Sequence, residues 1–134
     1  MSQENVSILG QVANAFNRRD GEAIHDLWHP EGEFTSSVSE IEGTRGVYRA
    51  NEAHRYMAEL DDLFEDWRIE EPEFIEVRDD CVVQIHRVVG RAKGSGVPID
   101  HRLGIVWTFK DGLIFSGRVF LTPQDALDAV GFSE

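Results

Sequence analysis

The stretch from Leu103 to Leu121, LGIVWTFKDGLIFSGRVFL, constrains the fold more than any other part of the chain. Two runs of β-branched and aromatic residues flank Lys110-Asp111-Gly112, and such residues suit a pleated surface with buried faces. Asp-Gly supplies the positive φ that a tight turn between antiparallel strands needs, at low steric cost for Gly112. The spacing predicts a β-hairpin too apolar to stand uncovered. The remaining elements are expected to cover it.

Upstream, Ile8, Leu9, Val12, Ala13 and Phe16 recur at helical spacing and define a first helix with one apolar face. Asp20 can cap a second, short helix on which Ala23, Ile24, Leu27 and Trp28 share a face, with Pro30 just past its end. A short strand is expected around Glu33 to Val38, then a polar loop with Gly43 and Gly46. Ala53, Tyr56, Met57, Leu60, Leu63 and Phe64 form the stripe of a third helix. From Glu59 to Asp80 acids greatly outnumber Arg68 and Arg78, and Pro72 interrupts a strand pattern, as in a charged edge strand that resists pairing with other chains. Strand-like runs follow at Cys81 to Ala92, Ile99 to Lys110 and Leu113 to Thr122, the first two joined through Gly94-Ser95-Gly96. Short turns between consecutive strands imply an antiparallel meander. Thr122 and Pro123 start a last helix that Gly131 stops. The order of elements predicts an α+β fold with helices packed on one face of a curved sheet.

At 134 residues the chain is read as a single domain spanning residues 1–134. A formal net charge of −12 argues against a nucleic-acid groove, which needs clustered Lys and Arg, and against an anionic membrane surface. Cys81 is alone, so no intrachain disulfide is expected. The start lacks the pattern of a signal peptide, and no apolar run approaches the ~20 residues of a membrane span. A cytoplasmic protein is the simplest expectation.

The order of elements, together with Phe16-Asn17-Arg18-Arg19-Asp20, Leu27-Trp28-His29-Pro30-Glu31-Gly32 and Val106-Trp107-Thr108-Phe109-Lys110-Asp111-Gly112, resembles the nuclear transport factor 2-like superfamily, and within it the SnoaL-like branch. The resemblance covers nearly the whole chain. It implies a cone: a curved, mostly antiparallel sheet wrapped round three N-terminal helices, with an internal pocket, a short C-terminal helix and a homodimer through the sheet. Activities in the superfamily include ketosteroid isomerases, polyketide cyclases and dehydratases, so the fold alone does not assign one. The isomerases use a Tyr on the first helix, an Asp base on the first strand and a protonated Asp on the penultimate strand. Alignment on Asp20, Gly32 and the Asp111-Gly112 turn puts Val12, Ser36 and Ile105 at those positions. None of the three groups is present, which argues against that mechanism here.

Other constellations are read from the residues. His25 and His29 stand at i and i+4 like a zinc-binding pair, but Pro30 follows at once and no third ligand is signalled, so surface histidines are expected and no metal site or cofactor. Asp100 and His101 are adjacent on a strand and point to opposite faces. His101 shares a face with Leu103, Ile105, Trp107 and Phe109, while Asp100 and Arg102 share the other, where an ion pair or dimer contact is expected. His86, with Gln84, interrupts an apolar strand and is the leading candidate for a general base, with Tyr56 or His101 as hydrogen-bond partner. Glu33 is read as exposed. Val12, Phe16, Trp28, Ser36, Met57, Ile105 and Trp107 are the expected pocket walls. The functional expectation is a small, largely apolar or aromatic molecule held in the cone, with acid-base isomerase, cyclase or dehydratase chemistry. The alternative is a non-catalytic binding or interaction module, a dimer using an outer sheet face with Val83, Ile85 and Val106.

Overall fold

The computed structural model describes residues 2–36, 46–49 and 52–131. In chain order the elements are α1 (Ser2–Asn17), α2 (Gly21–His25), β1 (Trp28–Ser36), β2 (Val47–Arg49), α3 (Ala53–Leu63), β3 (Phe64–Arg78), β4 (Cys81–Ala92), β5 (Pro98–Lys110), β6 (Leu113–Phe120) and α4 (Pro123–Ala129). The six strands form one curved, unclosed sheet in the order β2-β1-β6-β5-β4-β3. All neighbours are antiparallel except β1 and β6. This is the α+β cone expected, with the Leu103–Leu121 hairpin at its centre. Asp111 and Gly112 both take positive φ, 55° and 77°, as a two-residue hairpin turn of type I′ requires.

The sheet is covered on both faces. Leu9, Val12 and Ala15 of α1 and Met57 and Leu60 of α3 bury the concave side with Leu103, Ile105 and Trp107 of β5. The C-terminal helix does not join them. Thr122 caps α4 by accepting from the Asp125 amide at 3.1 Å. The helix then lays Ala126 and Leu127 on the convex face, against Val83, Ile85, Val106 and Phe120. The expectation of helices on one face is thus corrected: the alternating strands are apolar on both sides, and α4 supplies the second cover.

Several boundaries also differ. The second helix stops at His25, and Trp28 opens β1 opposite Ile114 of β6. Pairing with β6 outcompetes a helix that would have to end at Pro30 within a turn. His25 and His29 therefore do not share a helical face: His29 lies on β1, 3.6 Å from the Asp111 carboxylate. Phe64 belongs to β3, not to the end of α3, and β2 lies where a polar loop was expected. Val38 and Gly43 fall outside the described residues.

The edge strand β3 is as anticipated, and its irregularity has a local cause. Asp66 and Glu71 take φ of 55° inside the register shifts between Glu65 and Arg68 and between Glu70 and Glu73. Pro72 sits in the second of these bulges, where its missing N–H costs no ladder bond. The end of α1 fastens this bent strand. The Asn17 side chain donates to the Ile69 carbonyl at 3.0 Å and accepts from its amide at 2.8 Å, as a neighbouring strand would. Arg19 lies 3.3 Å from the centre of the Trp67 ring, and Asp20 caps α2 at the Ala23 amide. These contacts give the Phe16-to-Asp20 motif its physical meaning.

Candidate active site

The concave side is not completely filled. Between α1, α2, α3 and the inner face of the sheet lies a cavity of about 530 Å³, within the range that suits a small-molecule ligand. Its walls are chiefly aromatic and aliphatic. Phe16, Trp28, Phe34, Tyr48, Tyr56, Phe64, Trp67 and Trp107 all reach it, among Ile24, Leu60, Leu103, Ile105 and Val119. The rings support one another: Phe34 lies within 5.4 Å of Tyr56 and 5.9 Å of Trp107, centre to centre, and Phe16 lies 4.7 Å from Trp67.

Polar groups are few and are placed by the sheet. On β4 the residues alternate, Gln84, His86 and Val88 toward the cavity, Val83 and Ile85 toward α4. Gln84 is paired with Ile105 and His86 with Leu103 across the β4–β5 ladder. The Trp107 indole N–H donates to Gln84 Oε1 at 2.9 Å, and Gln84 Nε2 lies 3.0 Å from His86 Nδ1. Gly117 makes this possible: a Cβ there would sit 2.5 Å from the Trp107 ring, so only glycine lets the indole lie flat over β6. His86 is 3 % exposed, and burial, which penalises the charged ring, pushes its pKa from 6.5 down to about 4. The imidazole is neutral at physiological pH.

His101 stands at the outer end of the cavity, exposed, with Nε2 2.7 Å from the Leu121 carbonyl oxygen. Its neighbour Asp100 turns to the other face and pairs with Arg87 at 2.6 Å rather than with Arg102. Tyr56 lies on the wall, edge-on to Tyr48 at 4.8 Å, and the Tyr48 hydroxyl donates to Glu59 Oε1. Glu33 points away and pairs with Arg49 at 2.6 Å.

Of the residues expected to line a pocket, Val12, Phe16, Trp28, Ile105 and Trp107 do so, and so do His86, Tyr56 and His101. Ser36 and Met57 do not. Ser36 is buried at the end of β1 beside Val119, and the wall there is made by Phe34 and Val119. Met57 is buried in the core, and Ala53, Tyr56 and Leu60 present the helix to the cavity instead. Phe34, Tyr48 and Trp67 are wall residues that sequence reasoning missed. Alternation along Glu33-Phe34-Thr35 and Val47-Tyr48-Arg49 was the available signal for the first two.

A family model, the SnoaL-like domain, matches residues 9–117. The chain belongs to the SnoaL-like domain family. Among solved structures it is similar to an NTF2-like protein of unknown function from Burkholderia pseudomallei, at 18 % identity and a TM-score of 0.77 over 95 % of this chain and 97 % of that one. It is similar to TerC co-crystallised with polyporic acid, at 20 % identity and a TM-score of 0.76 over 96 % and 98 %. A third is a protein with a ketosteroid isomerase-like fold from Catenulispora acidiphila, in complex with trimethylamine, at 16 % identity and a TM-score of 0.72 over 94 % and 93 %. No curated protein matches the sequence. Among the described residues no helix is long and apolar enough to cross a membrane.

Val12 and Ile105 stand in the cavity of this SnoaL-like chain where the resemblance implies a Tyr and an acid in the isomerases. The wall is apolar at both points. The polar side chains lining this cone include Gln84 and His86 on β4, His101 on β5, Tyr56 on α3, and Tyr48 and Arg49 on β2.

Proposed function

We propose that this SnoaL-like protein binds a small, largely apolar or aromatic molecule inside its cone, with His86, Tyr56 and His101 as the polar groups that orient it and that would carry any acid-base step. The observation that supports this most is the cavity of about 530 Å³ walled by eight aromatic side chains, with Gln84 and His86 buried among them. An apolar enclosure with a few convergent polar groups is the usual form of a small-molecule site. The polyporic acid co-crystallised with TerC and the trimethylamine in the Catenulispora structure are consistent with a small-molecule occupant in this fold. A cytoplasmic location and a homodimer belong to the same proposal. Because Val83 and Ile85 are covered by α4, the surface left for a sheet-mediated dimer is the part of the convex face carrying Arg87, Asp100 and Arg102.

The test is a titration of isotope-labelled protein with tetralin, followed by NMR, beside native mass spectrometry for any molecule retained through purification. Saturable shifts confined to cavity residues such as the Trp67 and Trp107 indoles are expected. A cavity that binds no aromatic probe below millimolar concentration would remove the reading. For the dimer, sedimentation at micromolar concentration should give twice the chain mass; a monomer alone contradicts it.

A further inference from the structure

We infer that the cone is chemically polarised, with His86 a fixed N–H donor at its inner wall and Gln84 and Trp107 as its positioning residues, so that the ligand is an aromatic ketone or related molecule with an oxygen acceptor at that point. The inference rests on the reading of the cone as a ligand site and specifies what that site selects.

Three contacts fix this polarity. An indole N–H can only donate. Its partner at 2.9 Å is Gln84 Oε1, which settles the orientation of the amide. Gln84 Nε2 therefore faces His86 Nδ1, at 3.0 Å, and an amide nitrogen can only donate as well. Nδ1 must accept, so the proton of the neutral ring is on Nε2. Protonating His86 would set a ring N–H against the amide N–H, so the relay opposes charge in the same direction as burial does. Gln84 and His86 are 2 % and 3 % exposed, and His86 lines the cavity. Among the described residues Nε2 has no protein partner, although a buried N–H is normally satisfied. A ligand oxygen would satisfy it. A ligand without one leaves it unpaired, and sites built to hydrogen-bond a group discriminate strongly against analogues that lack it.

His101 carries the opposite polarity. The Leu121 carbonyl only accepts, so His101 Nε2 donates to it, which leaves Nδ1 as the ring nitrogen that can accept. His86 lies opposite Leu103 and His101 opposite Val88, which makes the two histidines diagonal neighbours on one face, about 7–8 Å apart along the sheet. A donor inside and an acceptor at the mouth suit a hydroxylated aromatic ketone, carbonyl inward and hydroxyl outward. The general-base role expected for His86 from the sequence is thereby reversed: of the two histidines lining the cavity, His101 is the one whose remaining ring nitrogen can accept.

The experiment uses the full chain and three probes of one shape: tetralin, 1-tetralone and 6-hydroxy-1-tetralone. Long-range ¹H–¹⁵N spectra at neutral pH should show His86 as the Nε2–H tautomer. 1-Tetralone should bind about tenfold more tightly than tetralin, and the hydroxyl should add a further few-fold that His101→Ala removes. His86→Phe should still bind tetralin but lose the ketone preference. His86→Gln, which keeps an N–H donor, should recover part of it, and Gln84→Leu should reduce it with both histidines in place. An Nδ1–H tautomer in the wild type, or a ketone preference that survives His86→Phe, overturns the inference, and the wild-type tautomer decides if the variants do not fold. Tetralin binding as tightly as 1-tetralone overturns this inference alone, whereas failure of all three probes to bind overturns the cone reading too.

Discussion

The two faces of β4 differ in a way that composition conceals. Val83 and Ile85 on the convex face and Gln84 and His86 on the concave face are all buried. The convex residues meet α4 and are packed; the concave ones face open space of about 530 Å³. Burial therefore does not distinguish a site from a core. What distinguishes them is a buried polar group whose partners are complete at one end of a relay and missing at the other. On the convex face no such group exists among the described residues of the packed cluster, and there the side chains only fill volume.

The largest expected effect concerns the concave face. His86 has a folded pKa of about 4 against 6.5 when unperturbed. Above pH 6.5 both folded and unfolded states hold the ring neutral. Between 6.5 and about 4 the unfolded chain binds the proton and the folded one does not, so stability falls as pH falls through this window. Over this window of about 2.5 pH units, at about 1.36 kcal/mol each, the loss is roughly 3 kcal/mol. Urea unfolding of the wild type and His86→Gln at pH 7 and pH 4 isolates this from the chain's carboxylates: the gap between the two proteins should shift by that amount against the wild type. An unchanged gap would mean that the concave face is wetter than its packing indicates.

The convex face should respond to volume. A Cβ on Gly104 would stand 2.6 Å from Ala126 Cβ and 3.2 Å from Pro123 Cα, and neither atom can swing aside. Gly104→Val should cost roughly 3 kcal/mol by forcing α4 off the sheet. Val12→Leu extends a side chain that lines the cavity and should cost under about 1 kcal/mol, since open space accepts the extra methylene. Denaturant midpoints measure both. Equal costs would mean that the cavity is closed in solution. Trp107→Phe separates packing from the relay: the ring remains, but Gln84 Oε1 loses its donor, and the unpaired buried oxygen should cost about 2 kcal/mol.

The elements most legible in the sequence were those whose local chemistry and tertiary setting agree. The Asp111-Gly112 turn, the Asp20 and Thr122 caps, and the charged edge strand interrupted at Pro72 were readable because one or two residues mark each. Family motifs supplied the rest of the cone. Trp28 was misplaced because a helical stripe of Ala23, Ile24 and Leu27 continues into it, and only pairing with β6, distant in sequence, draws it into a strand. The convex position of α4 was illegible for a related reason: alternation shows that a strand has two apolar faces but not what will cover each. In the site, alternation alone left open which face of β4 turns inward, and only His86 itself was readable, as a polar break in an apolar run. Its tautomer was not, because that depends on Trp107, a residue two strands' worth of chain away that reaches Gln84 only because Gly117 lets the indole lie flat.

The smallest expected effect tests whether the two faces are independent. Thr122 Oγ1 accepts from the Asp125 amide at the start of α4, with Pro123 at the first helical position. Thr122→Ala leaves that amide without its cap and should cost about 1 kcal/mol. Because α4 packs on the convex cluster, the loss should appear as faster hydrogen exchange in α4, with tetralin affinity in the cone unchanged. If affinity instead falls together with stability, the sheet transmits strain from one face to the other. The cavity would then be held open by the convex packing of α4 on Gly104, and not by the aromatic wall that lines it.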